Sequence, residues 1–242
     1  MTRVVSLSDR FAGLHGPGRS LGLLGIAVAV PAAFLGWTLS PPGLPLTLAV
    51  LSTGMVLAVW GMASHYPHGR LGGCNVVTTV RLAMVAALSA VIVGPSAGMV
   101  PGWAVAILAC ATLSLDGFDG WLARRQGLSS AFGARFDMEV DSALAAVLSL
   151  ALLAHGRAGV ELILLGGARY AFVAASLFLP WLGAALPDSF RRKAVCVVQI
   201  GVLAVLSAPI LSDGVARPLA VAAAVLVAWS FWRDIRWLVA QR

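Results

Sequence analysis

The chain has 242 residues, 60% of them hydrophobic and 11% charged, with a mean hydropathy of +0.91. That balance excludes a water-soluble globular domain, because the sequence repeatedly offers apolar runs of the roughly 20 residues that a helix needs to cross a bilayer. The formal net charge of +7 lies mainly in the segments between those runs, where it signals membrane topology, so nucleic acid is not an expected partner.

From the N-terminus, Met1 to Gly18 is polar and lacks the compact apolar core and small-residue cleavage pattern of a secretory signal, so residues 1–18 are expected to be a cytoplasmic segment. Spans are expected at 19–39, 43–63, 76–98, 102–123, 138–156, 159–182, 193–212 and 216–236. Their continuous Ala, Leu and Val content predicts helices, since the strands of a membrane barrel would show short alternating segments. The expected fold class is an all-α polytopic membrane protein. Basic residues set the orientation, because short loops rich in Arg and Lys stay on the cytoplasmic side. Arg3, Arg10 and Arg19 precede the first span. Alternate loops then carry Arg70, next Arg124, Arg125 and Arg135, and next Arg191, Arg192 and Lys193, while the tail carries Arg233, Arg236 and Arg242. The intervening loops hold only Arg157 and Arg217. Both termini are therefore expected in the cytoplasm, together with the polar turn after the fourth span.

Few side chains within this frame call for chemistry. Cys74, Cys110 and Cys196 are scattered, without a CxxC pair or a histidine at ligand spacing, and read as packing residues. Trp37, Trp60, Trp103, Trp121, Trp181, Trp232 and Trp237 stand near span ends, where an amphipathic ring anchors a helix at the headgroup level. His65 and His68 fall in a polar loop with Pro67 and Gly69. Arg169 is different, since an arginine inside an apolar span normally faces a polar interior.

The segment DGFDGWLARRQGLSSAFGARFDMEVD, Asp116 to Asp141, holds five of the ten acidic residues. Carboxylates at a membrane helix end are costly unless they pair with cations, bind metal or face a wet cavity. Asp116 and Asp119 are i and i+3 at the end of the fourth span, and Asp137 and Asp141 are i and i+4 at the start of the fifth, so each pair shares a helix face. Two antiparallel helices joined by a loop over Arg125 to Phe136 would set the pairs opposite each other. Two readings follow. Arg124, Arg125 and Arg135 would pair with the acids in a solvated interfacial cluster, or the four carboxylates would hold Mg²⁺ or Mn²⁺, with space for two ions about 4 Å apart. Glu139, at i+2 from Asp137, points away from the shared face. Gly120, Ala123 and Gly133 leave room for a flat or bulky group against the backbone.

Asp116, Asp119-Gly120, Ala123-Arg124, Gly133, Asp137 and Asp141 fall at the spacing D-x2-D-G-x2-A-R-x8-G-x3-D-x3-D. This resembles the signature of the CDP-alcohol phosphotransferases at all eight specified positions. Flanking segments extend the likeness: Asn75, Thr78 and Arg81 resemble the family's N-x-x-T-x-x-R opening of its first core helix, and Ser189 to Gln199 resembles the basic segment before its penultimate helix. Arg192 replaces a glycine there, and Val195-Cys196 a lysine and threonine common in glycerophosphate-using members. The match covers about residues 75 to 236 and six spans; the first two spans lie outside it. Residues 19–66 are therefore expected to form two extra N-terminal helices, and 67–242 a six-helix catalytic membrane domain.

The resemblance implies transfer of a phosphatidyl-type group from a CDP-alcohol, often CDP-diacylglycerol, to an acceptor hydroxyl, with release of CMP. It implies metal on Asp116, Asp119, Asp137 and Asp141, with Asp141 as general base and Asp137 bridging the ions. Asp116, Gly120, Ala123, Arg124, Gly133, Asn75 and Thr78 would line the cytidine and phosphate site. Arg169, Arg135, Arg192 and Lys193, with Arg191 beside them, would hold an anionic acceptor such as glycerol 3-phosphate or an inositol phosphate, with serine or choline as the neutral or zwitterionic alternative. Similar proteins are homodimers. The competing class is a cation-binding transporter, which would place its carboxylates near the bilayer midplane on broken helices.

Overall fold

The computed structural model describes residues 16–94, 102–187 and 189–241, apart from the side chain of Asp213. Eight long helices fill most of it: α1 (Pro17–Leu39), α2 (Leu44–His65), α3 (Gly73–Ser89), α4 (Gly102–Gln126), α5 (Ala131–Ala154), α6 (Glu161–Phe178), α7 (Phe190–Ser207) and α8 (Asp213–Ala240). No strand occurs among the described residues, as the continuous apolar runs predict. Most of the expected N-terminal segment, the end of the third expected span and Arg242 lie outside the described residues.

Among the described residues, six helical stretches are long and apolar enough to cross a membrane: Pro17–Leu39, Pro41–His65, Gly73–Val93, Gly102–Gln126, Glu161–Phe178 and Gly214–Ala240. The remaining two helices are present where spans are expected but are more polar. Helix α5 carries Asp137, Glu139 and Asp141, and α7 opens on Arg191-Arg192-Lys193.

The α4–α5 connection is much shorter than the expected loop over Arg125 to Phe136. Helix α4 ends at a Schellman turn: Gly127 has φ +64°, its N–H donates to the Arg124 carbonyl at 3.3 Å, and the Leu128 N–H donates to the Ala123 carbonyl at 3.1 Å. Three residues later Ser130 starts α5 as an N-cap, its Oγ accepting the Gly133 N–H at 3.0 Å. Arg135 and Phe136 are thus helical. Hydropathy alone places them in a loop because it penalises charge wherever it occurs.

Contacts divide the chain into two compact units, Met1–Gly94 with Ser114–Val140, and Pro95–Leu113 with Asp141–Arg242. In the first, α1, α2 and α3 pack on one another, and α3 is the core, buried from Leu82 to Ser89 except at Met84. Glycines bring the helices close: an added Cβ on Gly25 would meet Met55, on Gly54 Leu82, and on Gly61 Phe132. An apolar groove of about 910 Å³ between α1 and α2 is lined by residues such as Gly25, Leu48, Met55 and Trp60. It contains no acid or base, so it offers no chemistry.

The tightest approach is at Gly43, in the short 3-10 turn Pro41–Gly43, where a Cβ would stand 2.0 Å from the Ala90 carbonyl oxygen and 2.4 Å from its Cα. Backbone cannot yield as a side chain does. Gly43→Ala is therefore expected to destabilise the protein by about 1–3 kcal/mol, with a lower thermal unfolding midpoint. Gly22→Ala, with nothing within 4 Å of the new carbon, is the neutral control.

In the second unit α6 and α7 pack on α8. A second Schellman turn ends α5, with Gly156 at φ +66° and the Arg157 N–H donating to the Leu152 carbonyl at 3.0 Å. The Arg157 guanidinium then donates to the Leu206 and Ala208 carbonyls at 3.4 and 3.2 Å, giving buried carbonyls at the end of α7 a side-chain donor. Gly166 of α6 allows close passage beside α5, since its Cβ would lie 3.1 Å from the Ala146 Cα.

Candidate active site

Within the first unit, the last turns of α4 and the first turns of α5 bring together three of the motif carboxylates. Ligand oxygens of Asp116, Asp119 and Asp137 all lie within 4.8 Å of one another. The i, i+3 spacing places Asp116 and Asp119 on one face of α4, and the short Gly127–Ser130 connection returns α5 alongside. Asp119 is buried at 4% exposure, while Asp116 and Asp137 are half-buried.

Their cationic partner is Arg81 of α3, fully buried at 0% exposure. Its Nη1 donates to Asp119 Oδ2 at 2.8 Å and to Asp137 Oδ1, and stands 3.2 Å from Asp116 Oδ1. Thr78, one turn earlier on α3, donates its hydroxyl to the same Asp119 oxygen at 3.0 Å. Arg124, Arg125 and Arg135, the cations nearest in sequence, form no ion pair among the described residues; all three are exposed, and Arg125 lies over the Trp121 ring at 4.9 Å. Charge pairing is therefore present, but with a different arginine from those the sequence suggests. Each repulsion between carboxylates is on the order of 3–4 kcal/mol at an effective dielectric near 20, and each contact with Arg81 is worth a similar amount with opposite sign. One guanidinium thus balances the mutual repulsion of the three acids but leaves the group negative. That excess, on hard oxygen donors, fits a divalent cation such as Mg²⁺ or Mn²⁺.

Asp141 follows Asp137 by one turn on α5 and belongs to the second unit, where its Oδ2 faces Cys196 Sγ of α7 at 3.8 Å. Glu139 is exposed. Beside the trio in the first unit, Asn75 is 1% exposed and its Nδ2 has no hydrogen-bond partner. Its Oδ1 would lie 3.6 Å from a Cβ on Gly133, and Ser130 Oγ 3.2 Å from it. A buried amide nitrogen without an acceptor is unfavourable by about 1–3 kcal/mol, so it favours a ligand carrying one. Gly120 faces Arg124 Nη1, 3.5 Å from where its Cβ would be, and Ala123 is half-buried on the same helix.

The expected acceptor residues fall into two groups. Arg169 is half-buried in mid-α6 and Lys193 is exposed at the start of α7. Arg192 is engaged: it is 3.6 Å from Asp234 Oδ1 and donates to the Pro187 carbonyl. Arg191 also pairs with Asp234 and donates to the Ser230 carbonyl at 2.9 Å. Gln199 donates to the Leu165 carbonyl.

Arg81 appears in the sequence only as the end of a flanking pattern, with no role attached. A usable signal was present: an arginine inside an apolar run must find an acid or leave the membrane interior, and the chain has few acids to offer.

A protein-family model described as CDP-alcohol phosphatidyltransferase matches residues 73–231, which takes in α3, the carboxylate trio, Asp141 and most of α8. Comparison with curated proteins gave no match, and comparison with solved structures gave none. The match extends over more than half of an all-helical membrane protein and includes every aspartate of the signature, and the chain therefore belongs to the CDP-alcohol phosphatidyltransferase family, transferases of substituted phosphate groups.

Proposed function

We propose that the protein synthesises a phospholipid, moving the phosphatidyl group of CDP-diacylglycerol to an anionic polyol phosphate at the cytoplasmic face of the membrane. The family supports phosphatidyl transfer from a CDP-alcohol and uses divalent metal. The observation that carries the reading is the Asp116–Asp119–Asp137 trio, three hard carboxylates converging from two helices inside the matched region. Residues 67–242 would form the catalytic domain, and we infer a homodimer.

In this reading Asp116, Asp119 and Asp137, with Asp141, hold Mg²⁺ or Mn²⁺. Bound there, two ions would clamp the pyrophosphate and stabilise charge developing on the departing CMP. The chain supplies the remaining functions. Asn75, Thr78, Gly120, Ala123, Arg124 and Gly133 receive the cytidine and phosphates, the glycines by letting the ligand approach the backbone. Asp141 takes the proton of the acceptor hydroxyl as its oxygen bonds to the phosphatidyl phosphorus and the bridging P–O bond to CMP breaks. Donor tails stay in lipid throughout, which is the reason for placing this chemistry on membrane helices.

Arg169 and Lys193, with Arg135, supply charge for an anionic acceptor, whereas Arg192 is shared with Asp234. Arg169→Ala is expected to raise the acceptor KM at least tenfold and leave the donor KM within about twofold, measured by steady-state kinetics. The acceptor itself is tested with membranes, labelled CDP-diacylglycerol, Mg²⁺ or Mn²⁺, and a panel of glycerol 3-phosphate, inositol phosphate, serine and choline. CMP release with a phosphorylated polyol is expected. Release with serine or choline alone would overturn the acceptor, and release with none of the panel would overturn the donor–acceptor pair.

A further inference from the structure

We propose that Arg81 is a built-in counterion: its guanidinium holds the Asp116, Asp119 and Asp137 carboxylates together in the metal-free protein and weakens the binding of the divalent cation that displaces it. This rests on the metal reading of the same site.

Three observations carry it. Arg81 is fully buried, with its charge centred among the three acids and one nitrogen, Nη1, touching an oxygen of each. The nearby cations Arg124, Arg125 and Arg135 do not share this duty among the described residues. The contacts also fall on the oxygens a metal would need, since Asp119 Oδ2 already receives both Arg81 and Thr78. A divalent ion entering the trio therefore meets a like charge at close range and must draw carboxylate oxygens away from it. Without Arg81 the metal-free trio would hold three uncompensated negative charges on membrane helices and would separate or take up protons. With Arg81 the trio stays assembled at lower cation affinity. Metal and guanidinium are linked, so whatever Arg81 contributes to the empty site opposes metal binding by the same amount.

The test uses the full chain, purified in detergent or nanodiscs, with Mn²⁺ binding followed by electron paramagnetic resonance and thermal unfolding followed in chelator and in saturating Mn²⁺. Arg81→Gln is expected to lower the unfolding midpoint in chelator, to recover most of the loss with Mn²⁺, and to bind Mn²⁺ at least tenfold more tightly, about 1.4 kcal/mol. Arg81→Lys, which keeps a charge able to make contacts through one nitrogen, is expected to behave as the unaltered protein in both measurements. If Arg81→Gln binds Mn²⁺ equally or more weakly, with the same loss of stability in chelator and in Mn²⁺, Arg81 is a packing residue and the proposal is overturned while the metal site stands. If neither the unaltered protein nor Arg81→Gln binds Mn²⁺, the metal reading itself falls, and the counterion with it. Should Arg81→Gln not fold, the double change Arg81→Gln with Asp119→Asn, which removes one charge of each sign, is expected to fold in chelator. Its failure to fold would overturn the proposal.

Discussion

Asp119→Asn is expected to lower CMP release by about 10³-fold or more, corresponding to ~4 kcal/mol of transition-state stabilisation. Asp119 is the most buried of the trio and is held by both Arg81 and Thr78, so it has the least freedom to be replaced by water or by a neighbouring side chain. An amide of the same shape can still accept the Thr78 hydroxyl, but it brings no charge to a cation. Removing one carboxylate from a group that already carries excess negative charge relieves repulsion. Thermal stability in chelator is therefore expected to stay within a few degrees of the unaltered protein, or to rise. Loss of activity with the fold retained is the signature of a metal or substrate ligand; activity within tenfold of the starting value would remove Asp119 from that role.

The second large effect is expected at Asp141. Changing it to Asn should reduce kcat by about 10²- to 10⁴-fold, the range for losing a positioned general base, while binding of a non-reactive CDP-alcohol analogue stays within a few fold. The carboxylate is half-buried, with Cys196 Sγ 3.8 Å from its Oδ2, and a carboxylate is a group able to accept the proton of an acceptor hydroxyl. Because the same substitution also removes a proposed metal ligand, Mn²⁺ affinity should be measured beside turnover. A small change in affinity with a large loss of kcat supports the base role, and retained turnover contradicts it.

Much of this was legible in the sequence because membrane helices are written plainly. Continuous apolar runs gave eight helices, and the eight-position signature gave the family before any coordinate was needed. The edges were less legible. Hydropathy puts α5 at residue 138, whereas it begins at Ala131, since a window that penalises charge cannot recognise a helix that opens on Arg135, Asp137 and Glu139. Local signals marked the true boundary: Gly127 supplies the left-handed residue that ends α4, and Ser130 the hydroxyl that starts α5. The chief omission was Arg81. Its partners Asp119 and Asp137 lie 38 and 56 residues away in the chain, a separation no periodicity reports, so Arg124, Arg125 and Arg135 are the only pairing cations that sequence proximity suggests. Arg192 shows the converse. Its position in a basic segment suggests a ligand, and only the fold reveals Asp234 beside it.

We propose that carboxylates on α4 and α5 use a divalent cation to break the pyrophosphate of a CDP-alcohol. It is tested most directly with the purified protein in lipid vesicles, supplied with CDP-diacylglycerol and its acceptor, by measuring CMP release before and after Mg²⁺ is removed with a chelator and again after it is restored. Release that stops with chelator and returns with Mg²⁺ is the result expected. Release that continues unchanged in chelator, or cation flux across the vesicle with no CMP formed, would contradict the account.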